Sequence, residues 1–221
     1  MSILEQLASS GERRNQEANV AAAAACIAEP AHIDEIVGGL GGKDARIAGD
    51  CAEVMTKIAE RRPDLVAPHA ETLFTTLRDH KNGRVRWESA HALALSAALA
   101  PEVVARAFSD LAGIAKGDKG LIVRDYSFDA LAAYGATSAK AARAAWPVLR
   151  DGVDRFEGKH AARILAALPS LARADPKLAD EAGKLAARFV DHPRAGVRKA
   201  AASAIKALAG GGKAPAKRAK T

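Results

Sequence analysis

Apolar and polar residues alternate along most of the chain with the 3.6-residue period of an amphipathic α-helix. Residues 83–96 show this pattern well, because Val85 and Leu93 fall on one face of the predicted helix. Trp87 and His91 fall on the opposite face. The spacing therefore predicts a helix with one buried face and one face that carries aromatic side chains.

The same pattern returns in four other segments, so this helix is one member of a repeating array. Equivalent anchor positions recur every 37 or 38 residues, at Ile47, Val85, Val123, His160 and Val197. Eight residues after these anchors come Met55, Leu93, Leu131, Leu168 and Ile205. Twelve residues before the last four anchors come Leu73, Leu111, Val148 and Leu185, which mark a preceding helix. A fixed period with two helices per unit predicts a solenoid of helical hairpins.

Short motifs in the second helices resemble those of the HEAT-repeat proteins, which are armadillo-like helical repeats. Val-Arg pairs stand at Val85-Arg86, Val123-Arg124 and Val197-Arg198, and Asp79, Asp154 and Asp191 each precede an anchor by six residues. The first and fourth units instead have Ile47-Ala48 and His160-Ala161. The resemblance implies an all-α fold, a right-handed α-α superhelix (solenoid) of about five HEAT-like helical hairpins. It also implies that the second helices line the concave surface.

The pattern divides the chain into three parts. Residues 1–30 are expected to form an N-terminal helical cap, because repeat arrays need a covered end. Residues 31–209 form the HEAT-like repeat array. Residues 210–221 begin with three glycines and continue as K-A-P-A-K-R-A-K-T, without apolar periodicity. This composition predicts a disordered basic tail.

The composition favours a cytoplasmic location. No run approaches the ~18 apolar residues that a membrane span requires, and the first residues lack the basic start of a secretion signal. The two cysteines, Cys26 and Cys51, lie in separate helical segments and are expected to be small buried hydrophobes in a reducing compartment. No membrane association is expected.

Positive charge is concentrated at the carboxyl end. Of the formal net charge of +7, four charges belong to Lys213, Lys217, Arg218 and Lys220 in the tail. A basic tail can hold nucleic-acid phosphates with a strongly salt-dependent affinity, or it can serve only to keep the chain in solution. Both interpretations stay open from the sequence.

The polar face of the second helices carries the candidate binding site. In the first three units this face is acidic, with Asp50, Glu53 and Glu88 among its residues. A phosphate backbone would require lysine and arginine at these positions. Aromatic residues and arginines are enriched at protein-binding surfaces. We therefore predict that a protein or peptide partner binds a candidate ridge formed by Arg86, Trp87, His91, Arg124, Asp125, Tyr126 and Asp129.

These residues also have structural interpretations. Trp87 can be buried against the neighbouring unit, and the acids can form a solvated face. The resemblance implies that arginines such as Arg86 and Arg124 tie adjacent units together. The sequence leaves these alternatives open.

The sequence shows no pattern of catalytic or metal-ligating residues. The six histidines lack H-E-x-x-H spacing, the cysteines lack zinc-finger spacing, and there is no glycine-rich phosphate loop. The prediction is a non-catalytic protein-binding scaffold or adaptor without cofactor or metal. The alternative is a nucleic-acid-binding HEAT-like protein, acting through the tail or similar to the DNA alkylation-repair glycosylases. That glycosylase resemblance implies a basic channel with several tryptophans, whereas the chain has only Trp87 and Trp146.

Overall fold

The computed structural model describes residues 2–10 and 16–210, and every regular element in these ranges is a helix. The α-helices are α1 (Gln16–Ala28), α2 (His32–Gly39), α3 (Ala45–Ala59), α4 (Pro63–Val66), α5 (Ala70–Asp79), α6 (Gly83–Ser96), α7 (Pro101–Arg106), α8 (Phe108–Gly117), α9 (Leu121–Gly135), α10 (Ala139–Gly152), α11 (Ala161–Ala174), α12 (Ala179–Ala187) and α13 (Ala195–Ala209). Short 3-10 helices lie at Ile3–Gln6, Ala67–His69, Ala97–Leu99, Arg155–Gly158 and Pro176–Leu178.

The long helices α3, α6, α9, α11 and α13 begin within two residues of the predicted anchors. A first helix precedes each of them, and two of these first helices are broken. One break lies between α4 and α5, where Pro68 cannot donate a backbone hydrogen bond. The other lies at Ala107, between α7 and α8. The alternation of first and second helices confirms the predicted all-α fold class of repeated helical hairpins.

The described helices form two compact units that divide after Tyr134. In the first unit, α3 packs against α2 and α6, and α5 packs against α6. In the second unit, α11 packs against α10, α12 and α13. The predicted apolar positions supply both cores, since Met55, Leu93, Leu131 and Leu168 are at most 1% exposed.

The N-terminal residues pack on the first repeat. Ser2 Oγ and the Ile3 N–H both donate to Glu35 Oε2, at 2.6 and 3.1 Å, and the Ile3 side chain is fully buried. Helix α1 packs against α3. Cys26 and Cys51 are buried as predicted, and burial raises the pKa of their thiols to about 11 and about 12. The division of the chain at residues 30 and 209 stays a prediction.

Residues 211–221 lie outside the described ranges, and with them the four basic residues of the predicted tail. Within residues 2–10 and 16–210, no helix has the length and apolar character that crossing a lipid bilayer requires.

Asn82 starts α6, the helix that carries Trp87. Its side-chain oxygen accepts hydrogen bonds from the N–H groups of Arg84 and Val85, at 2.9 and 3.3 Å. Its own N–H donates to His80 Nδ1 at 3.0 Å. The cap thus satisfies two of the N–H groups that an α-helix leaves unpaired at its start.

Replacing Asn82 with alanine removes this cap. We expect Asn82→Ala to lower the free energy of unfolding by about 1 kcal/mol, measured by urea unfolding followed by circular dichroism. Asn82→Asp keeps the acceptor and should stay close to the wild type. Equal stability of Asn82→Ala and the wild type would contradict a capping role.

Candidate functional site

Three aromatic side chains of the candidate ridge meet between α6 and α9. The rings of His91 and Tyr126 stack with centroids 3.9 Å apart and planes at 10°. The rings of Trp87 and Tyr126 stack at 6.5 Å and 23°. All three side chains are half-buried, so part of each ring surface stays accessible. We call Trp87, Tyr126 and His91 the aromatic row.

Two arginines of the candidate ridge make contacts within the protein. Arg86 donates from Nε to the Leu77 carbonyl at 2.8 Å and from Nη2 to Asp118 Oδ2 at 2.5 Å. Arg124, only 8% exposed, donates to the Asp118 carbonyl at 2.5 Å. The bond from Arg86 to Asp118 matches the interpretation in which such arginines tie adjacent hairpins together, because it connects α6 to the turn before α9. The bond from Arg124 lies within its own hairpin and holds the same turn to α9.

The carboxyl of Asp118 lies at the centre of this connection. Its Oδ1 accepts from the Gly120 N–H at 2.8 Å, while Oδ2 accepts from Arg86. Burial alone would raise the pKa of Asp118, but these two hydrogen bonds hold it below its ordinary value. The carboxylate is therefore charged at neutral pH, which strengthens the hydrogen bond from Arg86.

Asp125 and Asp129 complete the candidate ridge. They lie one helical turn apart on α9, on either side of Tyr126 in the sequence, and both are half-buried. The structure thus groups five of the seven predicted residues, Trp87, His91, Asp125, Tyr126 and Asp129, on neighbouring parts of α6 and α9. Their role in binding a partner stays a prediction.

The acidic residues of the first repeat are not a solvated face. Asp50 is 1% exposed and accepts from the Ser9 N–H at 2.7 Å, from Asn19 Nδ2 at 3.2 Å and from Arg84 Nη2 at 2.8 Å. Glu53 accepts from the same Asn19 and Arg84 groups, at 2.9 and 2.6 Å. We call Asn19, Asp50, Glu53 and Arg84 the Arg84 network. It joins α1, α3 and α6, so Asp50 lies inside the first repeat and not on the polar face where the helical pattern placed it.

A glycine makes room for this network. Gly49 has the same place in its repeat as Trp87 has in the next, and the Arg84 side chain crosses it. A Cβ at Gly49 would lie 3.1 Å from Arg84 Nη1 and 3.3 Å from Arg84 Cδ. A larger side chain at this position would block the path of the guanidinium to α3.

Glu88 is also buried, at 4% exposure, although the helical pattern placed it on the polar face. Thr56 Oγ1 donates to its Oε2 at 2.9 Å. Burial raises the pKa of the Glu88 carboxyl to about 7 despite this hydrogen bond, and the charge of Glu53 adds to the rise. The site therefore holds one carboxyl that changes charge near neutral pH.

Two pockets border Trp87. The acidic pocket has a volume of about 290 Å³, and its polar lining includes Asn19, Asp50, Glu53, Arg84 and Glu88. The apolar pocket has a volume of about 550 Å³, and its lining includes Arg86, Asp118, Lys119, Leu121, Ile122 and Val123. Arg84 and Trp87 line both pockets.

Leu121 and Ile122 were missed by the sequence reasoning. They are 44% and 45% exposed on the first turn of α9. The sequence feature that could have identified them is the apolar run Leu121, Ile122 and Val123. Only Val123 is needed at the buried anchor position, so the other two residues have no role in the repeat core. An apolar pair beside an anchor indicates surface that the repeat core does not use.

The second tryptophan has a structural role. Trp146 on α10 is 5% exposed, and its indole Nε1 donates to Glu181 at 2.8 Å within the second unit. Trp87, by contrast, lines both of the pockets described above. Among the described residues, no group of three or more His, Cys, Asp or Glu side chains is arranged to hold a metal ion.

Sequence comparison matches no family model and no curated protein. Several solved structures are similar in fold. One is an engineered protein, 19% identical, with a TM-score of 0.68 over 95% of this chain and 96% of the other. Another is a designed armadillo repeat protein in complex with the peptide (KR)4, 17% identical, with a TM-score of 0.68 over 93% and 98%. A third is one of the armadillo repeat proteins computationally designed for modular peptide recognition, 16% identical, with a TM-score of 0.66 over 93% and 98%. The chain therefore has the armadillo- and HEAT-like helical-repeat fold that its sequence motifs predict.

Proposed function

We propose that this protein is a non-catalytic scaffold or adaptor that binds a segment of a protein partner along the aromatic row. The observation that carries the proposal is the stacking of Trp87, Tyr126 and His91 across two successive second helices. Aromatic side chains contribute large contact areas at a low cost in conformational entropy and are enriched in binding hot spots. A row that spans two repeats suits an extended peptide, which contacts several repeats in turn.

Preorganisation supports the same proposal. Arg86 connects α6 to the turn before α9, and Arg124 holds that turn to α9, so both helices of the row are positioned before a partner arrives. A surface that is already ordered loses less entropy on binding. The arginines thus contribute to the site through its geometry rather than through contact with the partner.

The chemistry of the partner follows from the residues beside the row. Asp125 and Asp129 accompany Tyr126 on α9, and the acidic pocket adjoins Trp87. Acidic groups beside aromatic rings favour positively charged side chains. The similar designed armadillo repeat protein in complex with the peptide (KR)4 also supports a basic peptide.

Removing the Trp87 indole tests the proposal. A partner is first captured from lysate after nuclease treatment, using the full chain and a chain truncated after Ala209, and its bound segment is mapped. We expect Trp87→Ala to weaken binding of that segment about tenfold or more, measured by isothermal titration calorimetry, with an unchanged circular dichroism spectrum.

A matched control is Leu99→Ala. Leu99 is 53% exposed and lines neither of the two pockets, so its truncation should leave the affinity unchanged. Equal affinities of Trp87→Ala and the wild type would refute the proposed surface. Capture of nucleic acid alone, lost on truncation and falling steeply with salt, would assign binding to the basic tail instead.

A further inference from the structure

We infer that the two pockets beside Trp87 form a paired recognition site, which takes a lysine or arginine side chain in the acidic pocket and an apolar side chain of the same peptide in the apolar pocket. The two side chains come from residues no more than two positions apart. This inference rests on the proposed peptide-binding function and specifies which peptides the protein selects.

The charge that the acidic pocket offers to a cation depends on Glu88. Burial would raise the pKa values of Asp50 and Glu53, but the hydrogen bonds that they accept hold both below their ordinary values. Both are therefore ionised at neutral pH, and their two charges are balanced by Arg84 and by Lys57, whose ammonium lies 3.1 Å from Glu53 Oε1. A net negative charge in the pocket therefore comes from the carboxyl of Glu88.

Glu88 gives this pocket a hydrogen-bonding group directed at a ligand. Glu88 is more than nine-tenths buried and lines the pocket. Among the described residues, Thr56 Oγ1 donates a hydrogen bond to Glu88 Oε2. The other carboxyl oxygen is thus available to an ammonium or guanidinium group. The indole of Trp87 forms an adjoining wall and attracts the same cation through its π face.

The apolar pocket has different chemistry. Leu121 and Ile122 expose nearly half of their surface, and Trp87 and Val123 extend the apolar lining. Among the charged groups that border the pocket, Arg86 and Asp118 form an ion pair at 2.5 Å, Arg84 pairs with Asp50, and Lys119 is exposed to solvent. A leucine, isoleucine, methionine or phenylalanine side chain would bury this surface without leaving a charge unpaired.

The spacing of the two side chains follows from the shared wall. Both pockets border the same indole, so a peptide that crosses Trp87 reaches both within a short stretch of backbone. In an extended chain, alternate residues on one face lie ~7 Å apart and neighbouring residues point to opposite sides. Either arrangement places the basic and the apolar residue within two positions of each other.

A displayed library of random nonapeptides, selected against the full chain, tests the inference. We expect the selected sequences to pair Lys or Arg with a large apolar residue one or two positions away. A selected peptide is then synthesised in its original form, with the basic residue changed to Gln, and with the apolar residue changed to Ala. The affinity of each of these three peptides is then measured for the wild-type, Glu88→Gln and Ile122→Ser proteins.

The two protein variants should separate the two pockets. Glu88→Gln keeps an acceptor for Thr56 but removes the charge, so it should abolish the roughly tenfold preference for the basic residue and keep the apolar preference. Ile122→Ser should abolish the preference for the apolar residue and keep the preference for the basic residue. The inference would be overturned if the selected peptides bind through Trp87 but lack the paired basic and apolar residues, or if neither variant changes the preference for these residues. Either result would leave the proposed function intact. Binders that do not depend on Trp87 would instead refute the proposed function.

Discussion

Arg84→Ala is expected to lower the free energy of unfolding by about 2–3 kcal/mol at neutral pH. The substitution leaves the carboxylate of Asp50, which is 1% exposed, without the guanidinium at 2.8 Å, and it removes the 2.6 Å hydrogen bond to Glu53. Asp50 keeps its donors from Ser9 and Asn19, which limits the loss. Urea unfolding followed by circular dichroism should show a midpoint lower by roughly 1 M.

The effect of Arg84→Ala should depend on pH. The pKa of Asp50 is depressed in the folded protein, so its stabilisation is present above the pKa of the unfolded chain and is lost as the pH falls through the folded value. The difference between Arg84→Ala and the wild type should therefore shrink in acid. Arg46→Ala is the matched control, because the ion pair of Arg46 with Asp44 is exposed and should contribute no measurable stability. Equal midpoints for both arginine variants would show that the Arg84 network does not stabilise the first repeat.

Glu88→Gln is expected to stabilise the protein by up to about 3 kcal/mol at pH 8 and to have little effect at pH 4. The amide that replaces the carboxyl keeps an acceptor for Thr56 and cannot ionise. Burial raises the pKa of the native carboxyl to about 7 from an ordinary value of 4.5, so ionisation destabilises the folded wild type. Urea unfolding of both proteins at a series of pH values between 4 and 8 measures the difference.

The direction of this effect follows from proton binding. Below pH 4.5 the carboxyl is protonated in both the folded and the unfolded chain, and Glu88 carries no ionisation cost. Between 4.5 and 7 the unfolded chain releases its proton first, so the stability of the wild type falls as the pH rises. Above 7 both states are ionised and the difference stays constant. Arg84 and Lys57 oppose the rise in pKa, and Glu53 adds to it.

Glu102→Gln is the control for this pH profile, because Glu102 is exposed on α7. It should leave the dependence of stability on pH unchanged. A Glu88→Gln protein whose stability follows that of the wild type from pH 4 to pH 8 would show that the Glu88 carboxyl is hydrated in the folded protein.

The periodicity of the sequence predicted the repeat unit because one physical requirement recurs in each hairpin. Every second helix must bury the same stripe against its neighbours, so Val85, Val123 and Val197 stand at equivalent positions and are at most 4% exposed. His160 occupies the same place and is fully buried, as its position in the pattern predicts. The same periodicity placed Trp87, His91 and Tyr126 on one side of their helices, and the structure stacks them.

The pockets and the Arg84 network could not be predicted in this way. A helical pattern gives the direction of a side chain around its own axis but not the reach of a side chain from another helix. Arg84 extends from α6 across Gly49 to α3, over 34 residues of sequence, and Asn19 reaches the same carboxylates from α1. These contacts depend on the distances between packed helices, which the pattern within a single helix does not give.

Local periodicity was enough to predict the all-α hairpin repeat, the buried stripe of each second helix and the aromatic residues on the opposite face. The three-dimensional arrangement of the helices was needed to show that Asp50 and Glu88 are buried, that Arg86 and Arg124 donate hydrogen bonds within the protein, and that Leu121 and Ile122 border the same pocket as Trp87. The physical reason is that burial and pairing depend on how neighbouring helices pack, and residues at the edge of a helical face can fall on either side of that contact.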